Sequence, residues 1–363
     1  MEGRREASSV SQPTGRSVLD AAGVVLVGAL ATISVTRPVG DAGPQLQLLA
    51  AASATLIGGR LLASIHRAVP AALVAGTAGG IVIRWWPDLI GTGPLGGPFG
   101  YENATGAFFV QAAFAGAVVA AATRSAPLVA LGLLVAAALG AVAVQASVAA
   151  WVTLGLGLVA IPALFRPRWA RPAVLAAGAL FLAVLATTLV LGAGYRAGEG
   201  GGALRSVLTE RRVVLWHESL EILLDHPGGI GPGRFAEVAP TALADRDARW
   251  AHNAFLQQGA ELGWIGLGVT VLLFLWGFAR LWAHPHSDAV VALGAAALAA
   301  LGIHASVDYV LHFPAVPLAA AALVGAAQAA PRRRLDDRRE RDREEGIEGG
   351  AAPVRVGGSP PAR

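Results

Sequence analysis

Long apolar runs, broken by short polar segments, recur along this chain from Val18 to Ala330. A helix rising 1.5 Å per residue needs roughly 20 apolar residues to cross about 30 Å of hydrocarbon. On that measure the pattern predicts spans near 18–36, 45–64, 70–85, 104–123, 126–144, 147–165, 172–194, 262–283, 288–305 and 313–330. The run from Ala126 to Phe165 is about twice one span in length. Gln145-Ala146-Ser147 is therefore read as a tight hairpin in its middle. Between the seventh and eighth spans the pattern changes. TERRVVLWHESLEILLDHP sets Val213, Trp216, Leu220 and Leu224 at helical spacing. That predicts an amphipathic helix lying along the membrane surface, capped by Thr209 and stopped by His226-Pro227-Gly228-Gly229.

The expected fold is an all-α polytopic membrane protein of about ten transmembrane helices, with one large extracytoplasmic loop containing amphipathic helices. Its parts are a disordered cytoplasmic N-terminus at 1–17, helices one to seven at 18–194 and the loop at 195–261. Helices eight to ten follow at 262–330, and a disordered, charged cytoplasmic tail at 331–363.

Composition sharpens this. The chain is 55% hydrophobic and 14% charged, well outside the range of a soluble domain. It has no cysteine, which excludes disulfides and thiolate metal sites. The net charge of +4 comes from arginines dispersed between spans, not gathered in one stripe, which argues against nucleic acid as a partner. Arginine in the short loops sets the orientation. Arg4, Arg5, Arg16, Arg67, Arg124, the RPRWAR loop, Arg280 and Arg332 to Arg334 all face the cytoplasm if both ends do. The segments at 86–103, 145–147, 195–261 and 306–312 then share the outer face of the cell membrane.

Most of the chemistry-bearing residues fall on that face. Arg211 and Arg212 open the amphipathic helix, where they either meet water and headgroups or grip a diphosphate. The glycines of GGIGPGRF follow no strand, so they read as a surface turn and not as a dinucleotide fingerprint. In RWAHNAFLQQGAELGWIGLG, helical spacing puts Asn253, Gln257 and Glu261 on one face, with His252 about 100° round. Gly263 and Gly266 would let a neighbouring helix approach as the chain enters the membrane. His304, Asp308 and His312 stand four apart, on one side of a helix at the outer boundary. A metal site there is conceivable, but orienting His252 or a sugar suits them better. Tyr101, Glu102 and Asn103 put polar groups at the mouth of the fourth span.

These stretches resemble the O-antigen ligase and polymerase family, which also includes protein O-oligosaccharyltransferases. Its ligase motif is matched by His252-Asn253, AFLQQGAEL, Gly263, Trp-Ile and Gly266. The run from the arginines through Trp216, Asp225-His226-Pro227, Gly231, Gly233 and Phe235 looks like the family's large outer loop. GYENATG and HASVDYVLHFPAV are similar to two further elements, so the resemblance covers roughly 95 to 325. Two features depart from it. The family commonly has about twelve spans, and its Ser-Arg at the sixth span reads Ser147-Val148 here. Either Arg211 or Arg212 would then suffice, or another arginine such as Arg84 or Arg249 would assist.

The resemblance implies a C-type glycosyltransferase fold and transfer of a glycan from a lipid-linked oligosaccharide to a glycan, lipid or protein acceptor. It implies no metal and no cofactor. His252 would be the general base, as a residue titrating near neutrality suits that task. Arg211 and Arg212 would hold the diphosphate. Asn253, Gln257 and Glu261 would orient His252 or the sugar, with Tyr101, Asn103, His304, Asp308 and His312 in support. Two other readings stay open: a transporter or flippase of an anionic lipid or solute, and a non-catalytic family member.

Overall fold

A computed structural model describes residues 15–90, 97–123, 125–146, 150, 153–155, 160, 163, 166–195, 210–245, 248–285 and 288–329. They form α1 (Gly15–Val35), α2 (Gly43–Ile65), α3 (Ala68–Ile90), α4 (Glu102–Ala122), α5 (Ala126–Ala146) and α6 (Ala170–Ala193). After these come α7 (Glu210–Asp225), α8 (Phe235–Val238), α9 (Pro240–Ala244), α10 (Ala254–Trp282), α11 (Ala289–Val307) and α12 (Ala315–Gln328). No strand occurs among the described residues. Helices α1 to α6, α10 and α11 are long and apolar enough to cross a bilayer, so the chain is a multi-pass, all-helical membrane protein.

One expected span falls outside the described residues, and the last expected span differs from its helix. The expected span at 147–165, with Ser147 and Val148, lies almost wholly outside the described residues, as do the N-terminal 14 residues and the tail. The expected last span at 313–330 is only the 14-residue α12. A 3-10 turn at Val310–His312 and extended Phe313 precede it. At 1.5 Å per residue α12 reaches about 21 Å, short of a full crossing.

Helices α4 and α11 form the centre, enclosed on nearly all sides. Around them α1, α2, α3 and α5 present Val24, Ile57, Ile83 and Leu134 outward. In lipid both faces of a helix are apolar, so hydrophobic periodicity does not sort inside from outside. Close packing of small residues does that sorting. A Cβ on Gly116 of α4 would sit 2.7 Å from the backbone nitrogen of Ala136 on α5.

The amphipathic helix α7 is buried on a broader face than its predicted stripe. Val213, Trp216 and Leu256 form one apolar cluster, while Leu215 and Ile222 belong to another with Ile230, Phe235 and Ala260. Leu224, the fourth member of the predicted stripe, is exposed.

Helix α10 begins eight residues before the predicted span and breaks at Gly263, whose φ of 76° and ψ of −170° only glycine adopts readily. The break frees backbone groups that the turn at 226–233 satisfies. The Ile230 and Gly231 amides donate to Ala260 and Glu261 carbonyls at 3.0 and 2.9 Å, and Trp264 donates to Pro227. Arg37 completes the cap, donating from Nη2 to the Leu262 carbonyl at 2.8 Å. Gly263 thus serves a backbone turn against a loop, where the sequence suggested a contact between helices.

A Cβ at Gly263 would lie 2.2 Å from the Pro227 carbonyl oxygen. Gly263→Ala is expected to destabilise the protein by about 2 kcal/mol or more. Gly268→Ala, with open space at its Cβ, is expected to be neutral or slightly stabilising. Thermal unfolding of both variants in detergent checks the contrast.

Candidate active site

The polar residues at one end of the bundle converge on Asp308. Helix α11 stops at Val307, and Asp308 follows in extended conformation (φ −158°) with 2% of its surface exposed. Its Oδ1 accepts from the Tyr309 amide at 2.8 Å and faces His252 Nδ1 at 3.1 Å. Its Oδ2 accepts from the Tyr101 hydroxyl at 2.6 Å, Asn103 Nδ2 at 2.6 Å and Arg212 Nη2 at 3.0 Å. Four separate stretches of chain meet on one carboxylate.

Electrostatics follow from that crowding. Burial alone would raise the Asp308 carboxyl, yet the hydrogen bond from His252 and the charge of Arg212 outweigh it and hold it below the usual 3.8. Burial and the neighbouring carboxylate push the Tyr101 phenol well above its ordinary value, so it remains a donor. Tyr309 moves the same way for the same reasons. Facing an acceptor-only carboxylate, His252 Nδ1 carries the proton, which leaves Nε2 as the lone-pair nitrogen of the neutral ring.

An aspartate depressed in the folded state adds stability above its unfolded value, and loses it as pH falls through the folded one. Unfolding temperatures of the native protein and Asp308→Asn should therefore differ fully at about pH 6 and converge only below about pH 4. A gap already closed at about pH 6 would contradict the pairing.

His252 has φ 49°, the one positive value on a non-glycine residue among those described. Such a conformation persists only when its surroundings fix it. Trp216 Nε1 donates to the His252 carbonyl at 3.0 Å. Asn253 follows as the N-cap of α10, its Oδ1 accepting from the Phe255 and Leu256 amides. Its Nδ2 donates to Thr188 Oγ1 at 3.0 Å. Asn253 is therefore extended, ahead of the helix, and does not share a helical face with Gln257 and Glu261. Those two brace the backbone. The Ala251 amide points at Gln257 Oε1, Gln257 Nε2 donates to Glu261 Oε1, and Glu261 Oε2 accepts from the Gly233 amide. All three side chains are buried behind His252.

The two arginines part company. Residues adjacent on a helix lie about 100° apart, so Arg212 turns to Asp308 while Arg211 pairs with Asp245 at the surface. Arg84 lies over the Trp85 ring, and Arg249 is exposed. The predicted line of His304, Asp308 and His312 is broken where α11 ends. His304 is buried one turn inside, with Nδ1 donating to the Ala300 carbonyl at 3.1 Å, and His312 is exposed in the 3-10 turn. No three His, Cys, Asp or Glu side chains are grouped as metal ligands among the described residues.

Two aromatic residues join the site without having stood out in the sequence. The Tyr309 ring meets His252 edge-on at 4.8 Å and stacks on Tyr101 at 4.8 Å. Trp250 stacks on Tyr309 at 6.0 Å and lies 3.9 Å from His312. Adjacency was the available signal: Tyr309 follows Asp308, and Trp250 lies two before His252.

Comparison with known proteins gives one result. The family model described as O-antigen ligase matches residues 133–271, which include Arg211, Arg212 and His252. Neither the curated proteins nor the solved structures contain a match. The matched segment carries the strained histidine and the arginine that meet on Asp308, and over that segment the chain is similar to the O-antigen ligase family.

Proposed function

We propose that this protein transfers a glycan from a polyprenyl-diphosphate carrier to an acceptor hydroxyl on the outer face of the cell membrane. The observation that carries this is the Asp308 carboxylate holding His252 Nδ1 and Arg212 together. Similarity to the O-antigen ligase family over residues 133–271 supports the general class of reaction. The acceptor oxygen attacks the anomeric carbon and its proton passes to His252 Nε2. The bond from that carbon to the diphosphate oxygen breaks, and its electron pair leaves with the carrier. Attack from the far side inverts the anomeric centre. Arg212 spends one of its five N–H donors on Asp308, and the others suit the oxygens of the leaving diphosphate. Arg211, exposed beside the site and paired with Asp245, meets the donor at most at its rim. Asn253, Gln257 and Glu261 fix the backbone that presents His252. Tyr101 and Asn103 hold the carboxylate.

The test uses purified protein in nanodiscs with a polyprenyl-diphosphate oligosaccharide and candidate glycan, lipid and protein acceptors. Carrier diphosphate should be released with the native protein, and His252→Ala should slow release by about 10²- to 10⁴-fold. Product length then separates a polymerase from a ligase. Donor that binds yet is never released with any acceptor would favour transport or a non-catalytic protein instead.

A further inference from the structure

The opposite end of the bundle holds a second polar cluster, unrelated to the chemistry above. Arg280 sits in the last turn of α10, roughly 35–40 Å along that helix from His252. Around it gather Asp20 of α1, Arg60 of α2 and Gln328, the last residue of α12. One oxygen of Asp20 lies 3.0 Å from Arg60 Nη2 and 3.1 Å from Arg280 Nε. Arg60 Nε also donates to Gln328 Oε1 at 2.9 Å. Arg16, one turn before Asp20 on α1, lies within electrostatic reach of Arg280. Two guanidinium groups thus share one carboxylate, with a third positive charge nearby.

The cluster is short of acceptors. Arg280 and Gln328 are each 2% exposed. Arg280 Nη1 and Gln328 Nε2 are both buried without a hydrogen-bond partner among the described residues. Both are donors. Buried donors and an excess of positive charge are costly unless an anion meets them. Asp20 and Arg60 stay partly exposed, at 45% and 25% of their side chains, and form a rim through which such an anion would enter.

We infer that this junction of α1, α2, α10 and α12 is a binding site for a phosphate group. Phosphate offers several acceptor oxygens and matches the guanidinium fork, which a monatomic anion does not. The cluster lies at the ends of membrane-spanning helices, so the sources are a phospholipid headgroup and free phosphate. The site stands independently of the glycan-transfer reading.

Full-length protein in detergent, stripped of lipid, would be titrated with phosphatidylglycerol and with diacylglycerol, reading bound lipid by native mass spectrometry. Inorganic phosphate would be compared with chloride at equal ionic strength by thermal unfolding. Phosphatidylglycerol should bind at least about tenfold more tightly than diacylglycerol. That preference should shrink to about twofold in Gln328→Leu and in Arg280→Gln. Should Arg280→Gln fail to fold, Gln328→Leu carries the test. Stabilisation by inorganic phosphate that also displaces the lipid would make free phosphate a ligand of the site; lipid binding unaffected by it would assign the headgroup alone. Equal binding of the two lipids, with phosphate acting no differently from chloride, overturns the proposal. So does a preference that survives in every folded variant.

Discussion

Asp308→Asn is expected to lower carrier release by about 10³- to 10⁴-fold, an effect comparable with loss of His252 itself. The carboxylate is the shared acceptor for His252, Arg212, Tyr101 and Asn103. An amide accepts through one oxygen only. If its NH₂ turned to His252 it would favour the ring tautomer protonated at Nε2, which has no lone pair for the acceptor's proton. Its oxygen would then serve the other three donors alone. Carrier release, measured across pH, separates this from a general loss of stability. Removing a positioning carboxylate changes the shape of the profile, whereas mere unfolding scales it. A folded Asp308→Asn variant that loses less than about tenfold would remove Asp308 from the mechanism.

The second large effect is a contrast between neighbours. Arg212→Ala should slow release by about 10²- to 10³-fold, because fixed positive charge at a leaving diphosphate is worth that much in a water-poor site. Arg211→Ala should stay within about threefold, since its partner Asp245 lies at the surface and exposed ion pairs contribute little. Arg212→Lys should recover only part of the rate, as an ammonium cannot reproduce the planar fork. Initial rates with saturating acceptor measure all three. Equal losses at Arg211 and Arg212 would mean that the donor draws both side chains together.

The helical membrane fold was legible because bilayer thickness imposes one length on every crossing, and α1, α2, α4 and α6 follow the apolar runs closely. Which helices lie inside was not legible. Both α4 and α11 are apolar all round, as lipid-facing helices also are. The site was legible as a set of residues and not as an arrangement. Spacing placed His304, Asp308 and His312 on a single helix, and only the end of α11 at Val307 releases Asp308 to gather its partners. Nor does sequence distinguish two adjacent arginines, although the roughly 100° between them on a helix sends them to different carboxylates. Asn253 was a missed signal. An Asn just ahead of an apolar helix is a common N-cap, and that reading would have taken it off the shared face. The left-handed turn at Gly263 had no such mark, because a glycine within an apolar run serves equally for helix packing.

We propose that His252 and Asp308 act as one unit in glycan transfer. A double-mutant cycle on carrier release, comparing the native protein, His252→Ala, Asp308→Asn and the double variant, tests it most directly. Groups that act as a unit are strongly non-additive, so the double variant is expected to be no slower than the slower single one. Losses that multiply would show two independent contributions and contradict the account.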